Sequence, residues 1–423
     1  MNAPLASAVL NPLPQCGAPA VGGGTAPIDI AALIASRTPG HSLPQAFYTH
    51  ADVFAADLER FFYRRWLNVG HVAQLLHPGD FFTYEIGRES IILSRGQDGV
   101  VHANFNVCRH RGSRICTEAS GHVGKLVCPY HQWVYDHDGS LLAAKDMPEN
   151  FDRSQFGLKT VPLRELEGFL FVCLAPAGEA LPPFEPIARD VGPFLKPHGY
   201  PTAKIAYSKT YDVPANWKLI IENSRECYHC AVGHPEYSSI MAPMGRAAKT
   251  YKEYHADRIA HYSACGLPTK RVGGAGHHVS RYPLSRPEFV TESEDGRAVA
   301  PRMVAVDDHD AGVCGAIIHP NFMLEGMSDY TVRFIFTPVH ATLTRVQADW
   351  FVKGDAVEGK DYDLARVIWF WKATGEQDWK LCSDNQAGVN SSRYEPGPYA
   401  AIETGVEEFI TWYLKILSAD EHR

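Results

Sequence analysis

Two stretches decide how the first half of this chain must fold: Asn-Val-Cys108-Arg-His110-Arg-Gly-Ser-Arg-Ile-Cys (residues 106–116) and Leu-Val-Cys128-Pro-Tyr-His131-Gln-Trp-Val-Tyr-Asp-His-Asp-Gly (residues 126–139). Each offers one thiolate and one imidazole, as Cys108-x-His110 and, after 17 intervening residues, Cys128-x-x-His131. Two Cys on one iron and two His on the other is the asymmetric ligation of a Rieske [2Fe–2S] centre, in which the imidazoles raise the reduction potential. Zinc is the competing reading, but a Cys₂His₂ zinc site usually spends its two Cys in one knuckle and its two His in another, whereas each loop here carries both types. Arg109, Gly112, Ser113, Pro129, Gln132 and Trp133 supply the turns and backbone amides that tune such a cluster. The flanks are short alternating runs (residues 81–86, 90–94, 100–105, 126–127, 133–135 and 169–174) that read as antiparallel strands.

The rest of the chain extends outward from that β region. Residues 1–41 are rich in Ala, Pro and Gly without periodicity and read as a mobile arm; their first Lys or Arg is Arg37, so neither a secretory signal nor an organellar presequence is expected. Helical spacing over residues 47–66 forms a lead-in, and Pro176, Pro182, Pro183, Pro186 and Pro193 punctuate a boundary near 180. Beyond it come a strand at 205–213, a helix from Trp217 to about Val232 stopped by Gly233 and Pro235, a long polar loop or lid over 263–312, strands at 330–338 and 345–352, and helices at 362–382 and 403–417. The 423 residues carry a formal charge of −8, with 40 basic against 48 acidic side chains, which repels phosphate backbones and argues against nucleic-acid binding. No apolar run approaches the roughly 20 residues of a membrane span. Ten cysteines in a chain of this size fit a reducing cytoplasm better than a disulfide framework.

A second constellation lies on the helix that begins at Trp217. Spacings of four and three residues place Glu222, Glu226 and His229 on one face, and His234 follows at the helix end. A third ligand, a carboxylate, is expected from a later helix, where Asp378 is the candidate and Glu376 its rival. Two His and one carboxylate make the facial triad of non-haem Fe(II) oxygenases, with open positions for dioxygen. Cys227 and Cys230 could join the two His as a second Cys₂His₂ zinc site, or be small buried helix residues.

At these residues the chain resembles the Rieske-type ring-hydroxylating oxygenases, and the likeness runs from Ser42 to Tyr413. Many relatives have Gly where this chain has Gln132. The resemblance implies an α+β protein: an all-β Rieske iron–sulfur domain plus a catalytic domain with an antiparallel sheet flanked by helices. Its divisions are an arm at 1–41, a helical lead-in at 42–65 packing on the catalytic domain, a Rieske domain at 66–180 and a catalytic domain at 181–423. It implies Cys108, His110, Cys128 and His131 as cluster ligands and His229, His234 and Asp378 as ligands of a mononuclear Fe(II); the Gln-Asp context favours Asp378 over Glu376. It also implies a head-to-tail homotrimer in which Glu226, where many relatives have Asp, bridges the mononuclear site to His131 or His110 of a neighbouring copy. Glu at that position, with the segments ENSRECYHC, DAVEGKDYD and EQDWKLCSDNQAGVNSSRYEPGPY, is most similar to the betaine-demethylating branch, glycine betaine first and proline betaine (stachydrine) next.

Single electrons from a cluster and open positions on iron together perform reductive O₂ activation. Hydroxylating an N-methyl group gives a carbinolamine that sheds formaldehyde. No Gly-rich dinucleotide fingerprint and no plant-type ferredoxin run is present, so electrons from NAD(P)H require a separate flavin- or ferredoxin-type reductase. A betaine needs aromatic faces for its cation and a cationic or amide donor for its carboxylate. Cage candidates are Tyr251, Tyr254, Tyr262, Phe322, Tyr330, Phe334, Phe336 and Trp350, most of them ordinary β-core positions. The alternatives are a Rieske oxygenase acting on an aromatic or other small organic acid, and a Rieske electron carrier without oxygenase activity, which would have no use for His229, His234 and Asp378.

Overall fold

The structure is a computed structural model that describes residues 27–241 and 249–419. Contacts divide the described chain into two compact units, Arg64–Pro182 and the remainder. The first 26 residues of the expected arm lie outside the described residues. Residues 27–41 are not a loose arm: Ile30–Ala35 (α1) is a helix capped by Asp29, and Arg37 pairs with Glu407 at 2.6 Å.

The Arg64–Pro182 unit is all β. Leu67–His71 (β1), Asp80–Ile86 (β2), Glu89–Arg95 (β3), Val101–Phe105 (β4), Ser120–His122 (β5), Leu126–Val127 (β6), Val134–Tyr135 (β7), Leu141–Ala143 (β8), Leu163–Leu166 (β9) and Phe169–Val172 (β10) form three antiparallel sheets, ordered β1-β10-β9, β4-β3-β2-β5 and β6-β7-β8. Alternating side chains such as Ile91 and Leu93 on β3 account for the strands, and Phe81, Ile92, Ile115, Trp133 and Leu158 form a core that also encloses Cys108 and Cys128.

The larger unit is built on a seven-stranded antiparallel sheet. Its strands are Lys204–Val213 (β11), Val272–Gly274 (β12), His277–Tyr282 (β13), Val313–Ile318 (β14), Phe322–Gly326 (β15), Tyr330–His340 (β16) and Leu343–Val352 (β17), in the order β11-β17-β16-β15-β14-β13-β12. The segment expected as a lid thus contributes two strands, β12 and β13, before it becomes irregular. The lead-in divides into Ala46–Thr49 (α2), Ala51–Asp57 (α3) and a π-helical turn at Leu58–Phe62. Glu185–Leu195 (α4) packs on β12 to β14; Trp217–Ser224 (α5) packs on β16 and on the long helix Leu364–Val389 (α9), which also covers β11. Cys230–Gly233 (α6), Pro235–Met241 (α7), Lys249–Ala264 (α8) and Thr404–Leu417 (α10) complete the helices. No helix among the described residues is long and apolar enough to cross a membrane.

The helix expected from Trp217 to Val232 stops at Ser224, which is a correction. The Glu226 side chain accepts the Tyr228 and His229 amides, and Cys227 is joined to Cys230 by a disulfide, so local bonds replace the helical ladder there. The bridge also removes both reduced readings of these cysteines, the zinc site and the free buried thiols. Asn216 caps the start of α5: its Oδ1 accepts the Lys218 amide, and its Nδ2 donates to the carbonyls of Tyr48 and Ala341.

Lys218 and Asp57 have no exposed surface and form an ion pair. Asp57 also accepts from Trp217 Nε1 at 2.9 Å and Tyr413 Oη at 2.8 Å, so one carboxylate joins α3, α5 and α10. Burial pushes the Lys218 ammonium below its ordinary value against the attraction of Asp57. Asp57→Ala would strand that charge and two further donors and should cost about 3–5 kcal/mol. Urea unfolding followed by tryptophan fluorescence reads this; a loss under about 1 kcal/mol would show that the pair does not anchor the helices.

Candidate metal centres

In the smaller unit the two motif loops have the same construction. Cys108 N donates to Ser113 O and Gly112 N to Cys108 O; Cys128 N donates to Trp133 O and Gln132 N to Cys128 O, all between 2.8 and 3.0 Å. Both turns need a left-handed residue at the fifth position, met by Gly112 (φ 81°) and by Gln132 (φ 56°). Gly112 adopts that conformation without strain, whereas Gln132 holds it with a Cβ and an exposed side chain.

The turns bury both thiols, at 3% and 1% exposure, and leave His110 exposed and His131 half-exposed with their rings 4.6 Å apart. Burial raises the Cys108 thiol above its ordinary value, the Tyr135 hydroxyl 3.3 Å from Sγ offsets part of this, and Cys128 beside it adds to the rise. Two adjacent buried sulfurs and two surface imidazoles fit a [2Fe–2S] cluster with its sulfur-ligated iron inside and its histidine-ligated iron at the surface. Tyr135 accepts the Arg109 amide at 3.0 Å and so ties the first loop to the cysteine sulfur. Sequence reasoning gave it no role, because a tyrosine on a strand carries no spacing signal.

In the larger unit His229, His234 and Asp378 converge. His229 Nε2 lies 3.1 Å from His234 Nε2, and Asp378 Oδ1 is 3.3 Å and 2.9 Å from them. Asp378 Oδ1 is buried, and despite that proximity its approaches to the two rings lack hydrogen-bond geometry. A metal about 2.1 Å from two ligands at right angles holds them about 3 Å apart, so the three donors fit one face of an octahedral ion. The disulfide takes Cys230 out of the donor set. Burial favours the neutral ring at His229, but Asp378 and Glu226 outweigh it and hold the imidazole up at about 9; the same two histidines hold Asp378 below its ordinary value against its burial.

Each imidazole is aimed from behind. Glu226 Oε1 accepts from His229 Nδ1, and Gln377 Oε1 accepts from His234 Nδ1 at 2.9 Å while its Nε2 donates to Glu236 at 2.7 Å. With the outer nitrogens engaged, both Nε2 atoms are left as ligands. In the sequence Gln377 serves only as context for Asp378 and Glu236 carries no signal; the structure makes the first the hydrogen-bond partner of His234 and the second the partner of Gln377. The rival Glu376 takes no part: it bonds Lys209 at 2.7 Å, Lys372 and Tyr211, on a different face of α9. Glu222, on the face predicted for it, accepts from Tyr48 at 2.9 Å, and burial pushes its carboxyl up to about 8. With Glu226, His229, Tyr394 and Tyr399 it lines a cleft of about 430 Å³. The cage candidates do not assemble into one site: Tyr262 bonds Asp310 within an apolar cluster of its own, and Trp350 packs on Tyr207.

Residues 65–162 match the Rieske [2Fe–2S] domain and residues 202–419 the ring hydroxylating alpha subunit (catalytic domain). The chain belongs to the Rieske-type ring-hydroxylating oxygenases. It is 40% identical over 391 residues to the glycine betaine monooxygenase oxygenase subunit of Chromohalobacter salexigens, covering 90% of this chain and 87% of that one. The Pseudomonas aeruginosa protein of that name is 37% identical over 392 residues, 90% of each chain. Among solved structures, the quaternary ammonium Rieske monooxygenase CntA superposes with a TM-score of 0.71 at 22% identity, over 91% of this chain and 98% of that one, a likeness of fold. This oxygenase therefore carries a Rieske cluster and a non-haem iron domain, in the α+β architecture expected of it.

Gln132 offers a direct test of the turn. A side chain in the left-handed region costs about 1–2 kcal/mol, and glycine returns about 0.5–1 kcal/mol of that as unfolded-state entropy. Gln132→Gly should leave the thermal midpoint of cluster bleaching unchanged or slightly raised, while branched Gln132→Val lowers it. The opposite order would place the strain elsewhere.

Proposed function

We propose that this oxygenase N-demethylates a quaternary ammonium betaine, glycine betaine first and proline betaine next, as a cytoplasmic homotrimer supplied with NAD(P)H electrons by a separate reductase. The observation that carries an oxygenase rather than an electron carrier is the convergence of His229 Nε2, His234 Nε2 and Asp378 Oδ1 within 3.3 Å. The substrate rests on the similarity to glycine betaine monooxygenase subunits over nine-tenths of the chain.

In this reading Cys108, Cys128, His110 and His131 hold the cluster, and His229, His234 and Asp378 hold the iron. When bound, the two groups supply single electrons and reductive activation of dioxygen. Glu226 and Gln377 keep the two imidazoles in the ligand tautomer. One N-methyl group takes one oxygen atom of O₂, while two electrons and two protons carry the other to water. The N-hydroxymethyl group then loses its hydroxyl proton, the carbon–oxygen double bond forms, and the C–N electron pair returns to nitrogen as formaldehyde leaves.

Glu226 bridges to His131 or His110 of a neighbouring copy. Two surfaces support that docking: Val107, Val127 and Tyr130 are exposed around the motif histidines, and Tyr228 and Val232, at 63% and 87% exposure, flank Glu226.

Asp378→Ala should empty the mononuclear site and abolish turnover without bleaching the cluster, and Glu376→Ala should do neither; iron analysis with visible spectra separates them. Exchanged outcomes would move the ligand to Glu376. With a matched reductase, glycine betaine should consume O₂ and yield formaldehyde, and its neutral carbon isostere 3,3-dimethylbutanoate should bind at least about tenfold worse. Inert betaines beside an oxygenated aromatic acid would overturn the substrate.

A further inference from the structure

Cys227 and Cys230 form the one disulfide among the described residues; the other described cysteines are free. A bridge across three residues closes the shortest kind of loop, where the chain-entropy gain of a disulfide is least, so stapling the fold is a poor account of it. Its position is more informative. The bridge brackets Tyr228 and His229, and Cys230 Sγ lies 3.9 Å from His229 Nε2, the nitrogen that faces His234 and Asp378. One ligand atom each of His229, Cys230 and His234 falls within 4.8 Å of the others. A metal that holds a sulfur at about 2.3 Å and a nitrogen at about 2.1 Å at the tetrahedral angle keeps the two about 3.6 Å apart. The sulfur is therefore near donor distance from the histidine pair, and its bond to Cys227 is what keeps it from serving as a thiolate.

The bonds that aim the triad do not pass through either sulfur. Glu226 accepts the Tyr228 and His229 amides and the His229 ring, and Gln377 holds the ring of His234. Cys230 is fixed by its backbone, whose carbonyl accepts the His234 amide at 3.1 Å and Ser238 Oγ at 2.8 Å. Opening the bridge thus changes the number of donors and leaves these anchors in place. Access is one-sided: Cys227 is half-buried beside Tyr228, which is 63% exposed, whereas Cys230 is 8% exposed. An incoming thiolate reaches Cys227 Sγ, forms a mixed disulfide there and expels Cys230 as the thiolate. The second thiol of the same reductant then releases Cys227, so a dithiol gives up two electrons and two protons and becomes a disulfide. In the reverse direction one hydrogen peroxide takes up the two electrons and the two thiol protons and leaves as two waters.

We propose that Cys227 and Cys230 are a thiol–disulfide modification site that sets the donor count of the mononuclear centre. With the bridge closed, two imidazoles and one carboxylate leave positions open and suit Fe(II). With it opened, the Cys230 thiolate joins them as a fourth donor and completes the closed, tetrahedral set that Zn(II) favours. The exchange belongs to the protomer before a neighbouring copy docks over Glu226. The inference rests on His229, His234 and Asp378 as metal ligands and is independent of the substrate.

Zinc binding to enzyme stripped of its mononuclear metal by a chelator, with the cluster absorbance retained, tests it without turnover. A phosphine opens the bridge in wild type, giving two electrons to the sulfurs and taking an oxygen from water, whose protons go to the thiols. Mass spectrometry of the tryptic peptide of residues 226–246 after alkylation reports which state is present. The opened enzyme should bind zinc at least about tenfold tighter than the closed one. Cys227→Ser, which frees Cys230 permanently, should bind zinc as tightly without any reductant, and Cys230→Ser should match the closed wild type with or without it. Equal zinc affinity of closed and opened wild type overturns the modification site, as does like behaviour of the two serine variants or alkylation of both cysteines in enzyme isolated without reductant. Asp378→Ala should weaken zinc in both states; unchanged affinity there overturns the ligand assignment and this inference with it. If neither serine variant folds, the wild-type comparison decides alone.

Discussion

Asp57 has no exposed surface, and three donors from two helices meet on it: Trp217 Nε1, Lys218 Nζ and Tyr413 Oη. A charged acceptor in a low-dielectric core tolerates little displacement of its donors, so α5 and α10 are fixed to the end of α3. The placement of α5 in turn determines where the chain emerges at Arg225, and from there both histidines of the mononuclear site follow within ten residues. Arg225 continues the tether by donating to Gly405 O at 3.2 Å and Glu408 at 3.1 Å. The histidines thus lie on an irregular segment whose start is held by the polar bonds of Asp57 and Arg225. A continuous helix could not bring both imidazoles, five residues apart, onto one point.

The two centres share a way of aiming donors. At the cluster, closed turns with a left-handed fifth residue turn each cysteine inward and each histidine outward. At the triad, Glu226 and Gln377 engage the outer nitrogens and leave the inner ones as lone pairs. In both, the residues that decide the geometry are not themselves donors to metal.

That distinction explains what the sequence made legible. Cys108, His110, Cys128 and His131 are read from short spacings because each turn is local, and His229 and His234 for the same reason. Asp378 lies 144 residues after His234, and only resemblance favoured it over Glu376; the periodicity of α9, which turns Glu376 toward Lys209, is what separates the two acids. The break after Ser224 was not legible, since it depends on side chain-to-amide bonds and on a disulfide and not on propensity. The aromatic candidates of β16 are core residues, as most of the candidates were expected to be, because that strand is buried on both faces over most of its length.

The unbroken course of α9 sets a limit on how this scaffold can change. One residue inserted between Trp371 and Asp378 would swing the tryptophan about 100° from the carboxylate, whereas a whole turn restores the facing and adds about 5.4 Å. Helix-side alterations in reach therefore come in coarse steps, each large against the size of a methyl group. Finer adjustment is left to the strands that α9 covers, where exchanging one side chain moves a contact by a bond length and leaves the backbone in register. Divergence among enzymes of this build should accordingly collect on those strands, with the helix held nearly constant in length.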